Sequence, residues 1–395
     1  MQRHRRRGHT IAALCALVWL AACSGSGPTP PGTPAESGSA EPHIQLPRTV
    51  VSAKSPRDLA AELELARGFF LALRFEDAAR AFDRLLPAAE GTDLAAPALF
   101  NSGLAYEGMG QLETAAERYR ELGRRHPQAE VSRGGLLRLT RVLGYLERWA
   151  ELGEAADTAL GRKDLEALDR VEGFGAKALS LVERGQVDDA ERMVNRARDI
   201  IEQHRFGEAS VPPLQLAQVA FALGEIRRAR SEQIQLVPVP PNFPEVLEAR
   251  CQGLLEAQDA YAESMRSRDA HWSAMSGYRI GQLYQQLHRE AMQIPPPDSA
   301  NNLRQKQLFE AAMRLRYRIL LEKGLKMMEA TVRMGERTGE SSYWVARARE
   351  AQRDLERALG DEKAALGKMP FAEDDVRAAL ELLKGKPDPS PPKKP

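Results

Sequence analysis

The feature that most constrains this chain is a pattern that returns at a fixed interval. Between residues 57 and 243, similar stretches begin near residues 59, 96, 133, 171 and 210, about 37 to 39 residues apart. Ala, Leu, Glu and Arg dominate these stretches, and apolar residues recur at spacings of three and four, the period of an amphipathic helix. No segment alternates as a strand. "IQLVPVPPNFP", near 234–244, is apolar but carries four prolines and reads as an extended linker. A pattern with this period implies supersecondary units that cannot bury their apolar faces alone and must stack on one another. The chain is therefore expected to be all-α.

The clearest copy is "LFNSGLAYEGMGQLETAAERYRELGRRHP", Leu99 to Pro127. It closely resembles a tetratricopeptide repeat (TPR). In that frame Leu99, Gly103 and Tyr106 lie on a first helix, Ala115, Tyr119 and Leu122 on a second, and Pro127 closes the unit. Gly103 and Ala115 are small enough for two antiparallel helices to touch, Tyr106 and Tyr119 fill the space around them, and Met109-Gly110 makes the turn. "LARGFFLALRFEDAARAFDRL" places Ala66, Phe69, Ala78 and Phe82 at equivalent positions. "LLRLTRVLGYLERWAELGEAA" gives Leu136, Leu143, Leu152 and Ala156. "FGAKALSLVERGQVDDAERMVNRA" gives Ala178, Leu181, Gly185, Ala190 and Val194, and "LQLAQVAFALGEIRRARSEQI" gives Ala217, Gly224 and Ala229. The resemblance implies a TPR-type α-solenoid of antiparallel helix pairs over 57–243, in about five repeats. It also implies partner proteins bound along the concave, first-helix surface. Members that hold acidic or carboxylate-ended peptides place Asn and basic residues there. Asn101, two residues before Gly103, matches such an Asn, and Arg67, Arg138 and Arg141 fall on the same inward face. An Arg can grip a carboxylate with two parallel hydrogen bonds, and an amide can donate a third. The usual clamp lysine positions hold Leu63 and Gly134 here. The alternative for the arginines is a solvated helix face.

Residues 244–384 are also helical in pattern, with one long helix expected from about Pro244 to Ile294. A "PPP" break follows, then helices near 302–338 and 341–360 and a short one near 372–384. "HWSAMSGYRIGQLYQQLHREAMQIPPP", with Gly281 and Tyr284 at TPR-like spacing, is followed by "LRYRILLEKGLKMMEATVRMGE" and "SSYWVARAREAQRDLERAL". Together they resemble the C-terminal part of TPR lipoproteins and periplasmic TPR proteins linked to gliding-motility machinery.

The start of the chain reads as an address. "RHRRR", Arg3 to Arg7, precedes an apolar run of about 12 residues, Ile11 to Ala22, and a membrane-spanning helix needs roughly 20. A basic head, a short apolar core and small residues make a secretory signal over 1–22. Leu20-Ala21-Ala22-Cys23 resembles the lipobox of bacterial lipoproteins. That resemblance implies cleavage between Ala22 and Cys23 and a thioether-linked diacylglycerol on Cys23, with the new amino terminus acylated. Ser24, where inner-membrane members carry Asp, points to the outer membrane, facing the periplasm. Residues 23–56 are rich in Pro, Gly, Ser and Thr and are expected to be a disordered tether, as is the tail 385–395.

Lys and Arg number 56 against 55 Asp and Glu, so no basic field would attract nucleic acid. Of the three cysteines, Cys15 leaves with the signal and Cys23 takes the lipid, which leaves Cys251 alone and no internal disulfide. Cys251 is four residues from both Leu247 and Leu255, on an apolar helix face. No HExxH, CxxC, GxSxG or Walker sequence occurs. "GFGAKA", Gly173 to Ala178, matches a dinucleotide fingerprint by letter. It lacks the βαβ context and reads as a helix-start loop inside a repeat. The seven histidines show no ligand spacing, and His271 beside Trp272 reads as a packing feature. No catalytic residue, metal or cofactor other than the Cys23 lipid is expected, and no small-molecule substrate.

Two other roles remain open from sequence. One is a pilotin-like assembly factor for an outer-membrane secretin or pilus. The other is an accessory subunit of an envelope or cell-wall enzyme.

Overall fold

The computed structural model describes residues 55–372 and 374–378. The signal segment, Ala22, Cys23, the tether up to residue 54 and the tail 385–395 lie outside the described residues. Every described element is helical. Helix α1 (Pro56–Leu71) begins where the sequence expects tether. Ser55 and Asp58 form a capping box and Pro56 occupies the first turn, three start signals that agree.

Four antiparallel pairs follow the expected period. They are α1 with α2 (Phe75–Ala89), α3 (Ala95–Gly108) with α4 (Leu112–Arg125), α5 (Glu130–Tyr145) with α6 (Trp149–Leu160), and α7 (Ala167–Glu183) with α8 (Val187–Gln203). Their turns share one geometry. Leu73, Gly110, Glu147 and Gly185 have φ of 57°, 71°, 55° and 79°. The residue after each donates its N–H to a carbonyl five positions back: Arg74 to Phe69, Gln111 to Tyr106, Arg148 to Leu143 and Gln186 to Leu181. That is the Schellman pattern, which favours glycine in the left-handed position. The sequence shows glycine in only two of the four copies. At Leu73 and Glu147 the turn is kept at a cost of roughly 1–2 kcal/mol.

Within the pairs the expected contacts are present. Ala66, Ala78, Ala115, Ala178 and Ala190 are fully buried and Leu99 nearly so. A Cβ on Gly103 would stand 2.4 Å from the Tyr119 ring, so no larger residue fits without moving that ring. Tyr106 is half-buried and donates to Asp83. Pro127 is exposed, and its carbonyl accepts from Arg162 at 3.0 Å. "GFGAKA" is not a helix-start loop. It lies inside α7, where a Cβ on Gly175 would come within 3.0 Å of the Val219 backbone nitrogen. The glycine is there because two helix backbones approach each other.

The fifth unit departs from the expected form. α9 (Gln215–Glu232) runs unbroken through Gly224, so Ala217 and Ala229 share one helix instead of two. A Cβ on Gly224 would meet the Tyr261 ring at 2.5 Å. This glycine serves packing, and no turn forms at it. Residues 233–242 then lead to α10 (Phe243–Met265), which pairs with α9. The expected boundary at 243/244 therefore cuts the fifth pair in half. The single long helix expected over 244–294 is also two. Arg268 takes φ 58°, and Asp269 caps α11 (Ala270–Met292) by accepting from the Trp272 N–H at 2.8 Å. α12 (Leu303–Thr338) and α13 (Tyr343–Gly367) follow, with further described helical residues at 374–378. One core runs from α4 to α13 and includes Tyr145, Phe221, Tyr261, Trp272 and Trp344. The C-terminal helices thus share the core of the repeats.

A buried charge cluster ties α7, α9, α10 and α11. Glu225 is fully buried. It accepts from Arg228 at 2.5 Å and Tyr261 at 2.9 Å, and its carboxylate lies 2.7 Å from the Arg279 Nε. Burial would raise the Glu225 carboxyl, but Arg279 and Arg228 outweigh it and hold it down at about 2. Glu183, 3.7 Å from Arg279, is pushed up to about 8 by burial and by the Glu225 charge. The signs follow from proton binding. Glu183 keeps a proton in the fold that the unfolded chain releases near the usual carboxylate range. Its contribution is therefore complete below that range and is lost as pH rises toward 8. The Glu225 contribution is present above that range and is lost as pH falls toward 2. Melting temperature is expected to fall between about pH 5 and pH 8. Glu183→Gln should flatten that fall, which a pH series of thermal melts would show.

Candidate functional site

The first helices α3 and α5 do not face open solvent along their whole length. Their C-terminal ends form one wall of a cleft of about 750 Å³. The opposite wall comes from far along the chain: the start of α11 and the turn between α12 and α13. Glu107, Arg138, Arg141 and Tyr145 stand on the repeat side, and Asp269, His271, Glu340, Ser342 and Tyr343 on the other.

Several contacts hold the walls together. The Tyr145 hydroxyl reaches the Asp269 Oδ1 at 3.4 Å, and its ring packs against the His271 ring at a tilt of 35°, with centroids 3.9 Å apart. Trp344 Nε1 donates to the Tyr145 carbonyl at 3.4 Å. Tyr343 and Arg347 both donate to Glu147. Glu147 is thus, like Leu73, a non-glycine residue in a left-handed turn, and its carboxylate accepts from two side chains of α13. Burial pushes the Tyr145 hydroxyl well above its ordinary range, so it remains a neutral donor.

The arginines of the expected carboxylate clamp are already engaged. Arg138 donates to the Glu107 Oε2 at 2.8 Å, and that oxygen also accepts from the Tyr119 hydroxyl at 2.5 Å. Arg141 directs Nε and Nη2 at the Glu172 Oε1, at 3.0 and 2.7 Å, with both side chains largely buried. Burial would lower the Arg141 guanidinium, but the Glu172 charge more than compensates. Arg67 is exposed, pairs with Glu64 and is not part of the cleft. The Asn101 amide donates to the Pro97 carbonyl one turn back, at 2.8 Å, and is also outside the cleft. The structure therefore brings Arg138 and Arg141 together and leaves Arg67 and Asn101 elsewhere. The carboxylates that the two arginines grip are internal.

Glu107 and Glu172 were legible in principle. Each lies 31 residues from its arginine, an offset that joins first helices of successive units. Asp269, His271, Glu340 and Ser342 carry no such signal, because helix pairing over more than 100 residues brings them in. Cys251 is half-buried on α10, and burial pushes its thiol up, which keeps it protonated. Among the described residues no group of His, Cys, Asp or Glu could hold a metal ion, and no helix is long and apolar enough to cross a membrane.

No protein-family model matches the chain, and no curated protein sequence matches it. Solved structures do. A tetratricopeptide repeat protein from Parabacteroides merdae aligns at 11% identity and a TM-score of 0.39, over 83% of this chain and all of that one. The TPR2AB domain of yeast Sti1, in complex with pHSP90, aligns at 14% identity and a TM-score of 0.22, over 78% of this chain and all of that one. A circular tandem repeat protein with novel repeat topology aligns at 16% identity and a TM-score of 0.21, over 78% of this chain and 84% of that one. All three superpose loosely. The repeat array is instead evident in this chain's own helix pairs, their period and their shared turn.

Proposed function

We propose that this chain is a scaffold that binds a partner protein in the cleft between α3–α5 and the α12–α13 turn, and that a lipid on Cys23 holds it to the bacterial envelope. The cleft carries the first half of this reading. It lies where the helix pairs present their first helices, it is large enough for a few residues of an extended segment, and its walls are fixed by buried contacts. The lipobox at Leu20–Cys23 supports the second half, with the outer membrane as the membrane and the periplasm as the side faced. Membership of a gliding-motility or related trans-envelope complex is supported by the resemblance of residues 271–297 and 315–359.

Ser341 is exposed at the mouth of the cleft, so a Trp there would obstruct entry without disturbing the core. In co-purification from crosslinked envelopes, Ser341→Trp should lose the partner that wild type retains, with an unchanged melting temperature. A partner retained by the folded variant would place binding elsewhere. Cys23→Ala should abolish labelling by fatty acid and release the protein from membranes. Wild-type protein recovered soluble and unlabelled would remove the anchor.

A further inference from the structure

The cleft is built from acceptors. Carboxylates of Glu107, Glu113, Asp269 and Glu340 face it, against the guanidiniums of Arg138 and Arg141 alone. Arg138 is neutralised by Glu107 and Arg141 by Glu172, behind the wall. That leaves Glu113, Asp269 and Glu340 without a guanidinium partner. Glu113 is exposed at the mouth. Asp269 spends Oδ1 on the Trp272 N–H and the Tyr145 hydroxyl. Glu340 accepts from the Ser342 N–H at 3.0 Å and faces the His271 Nδ1 at 3.4 Å.

A second observation is independent of the charges. His271 lines the cleft at 8% exposure, and its buried Nε2 has no hydrogen-bond partner. Unmet polar atoms in a folded protein call for an explanation. In the neutral tautomer that turns the His271 Nδ1 proton to Glu340, Nε2 is an acceptor. That tautomer places one unmet acceptor beside three carboxylates.

From this we infer that the cleft recognises a lysine or arginine side chain on an extended segment of the partner protein, the reverse of the acidic or carboxylate-ended peptide implied by resemblance. An ammonium or guanidinium supplies several N–H donors and no acceptor, which matches what the walls lack. A carboxylate would meet carboxylates, because the arginines it needs are spent. The inference deepens the scaffold reading and rests on it.

The test is fluorescence anisotropy at low salt with the full chain. The probes are short fluorescein-labelled peptides of equal length, one bearing Lys, one Glu and one uncharged. The Lys peptide should bind at least about ten-fold more tightly than the others, as charge-assisted hydrogen bonds predict. Asp269→Asn with Glu340→Gln should abolish that preference, and Asn keeps a helix cap in place. Glu113→Lys, at an exposed position, should weaken the Lys peptide without touching packing. No preference for Lys, or a preference that survives the folded variants, overturns the inference. If envelope co-purification still depends on an open Ser341 mouth while Lys peptides show no preference, the scaffold reading stands and only the charge assignment falls.

Discussion

Glu290→Ala is expected to cost about 3–5 kcal/mol of stability, because it strands a buried guanidinium. Arg250, on α10, is fully buried. It directs Nε and Nη2 at the two Glu290 carboxylate oxygens, at 2.9 and 3.1 Å, and Nη1 at the Ser231 hydroxyl at 2.7 Å. This arrangement fastens α9, α10 and α11 at one point. Removing the carboxylate leaves a desolvated charge with a single neutral acceptor. Replacing both charges with apolar residues of similar volume, Arg250→Met with Glu290→Leu, is expected to recover most of the loss. The Coulomb attraction of a buried pair does little more than offset its own desolvation. Chemical denaturation of the single and double variants checks both statements. A double variant as unstable as the single one would mean that packing, and not the stranded charge, sets the cost.

Trp344→Ala is expected to cost a similar amount, about 3–5 kcal/mol, as deletions of large buried aromatic side chains do. Trp344 is fully buried at the start of α13. Its ring meets Tyr278 edge-on at 5.7 Å, the Arg347 guanidinium lies 4.9 Å from its centroid, and its Nε1 reaches the Tyr145 carbonyl. The loss should be local before it is global. Amide hydrogen exchange should accelerate in residues 339–347, the wall of the cleft, while α1–α4 keep their protection. Binding at the cleft should weaken together with that wall. Uniform loss of protection along the chain would contradict the assigned docking.

The repeat array was readable because its requirements are local. Small residues must sit where helices touch, as at Gly103 and Ala115, and turns recur in step, as at Gly110 and Gly185. Where the turn is held by Leu73 and Glu147, the letters show nothing, although the backbone is the same. Glu147 keeps a costly conformation, and its carboxylate accepts from Tyr343 and Arg347 of α13, a tertiary contact with no sequence signature. Gly224 misleads for the opposite reason. It sits where a turn glycine belongs, yet the Tyr261 ring needs its missing side chain. The clamp fails at the level of partners. Arg138 and Arg141 stand on the expected face, but Glu107 and Glu172, one unit away on either side, consume their donors. Half of the cleft comes from α11 and the α12–α13 turn, whose approach to α5 depends on how the helix pairs between them stack.

Docking of a partner protein in this cleft can be read directly by crosslinking. A photoreactive amino acid placed at Glu113, on the cleft, and in a separate protein at Arg192, exposed on α8 and outside the cleft, tests it in intact cells. A discrete crosslinked adduct is expected from position 113 and none from position 192, and mass spectrometry of the adduct should place the captured residue beside a Lys or Arg of the partner. An adduct from position 192 alone, or equal capture from both positions, would contradict it.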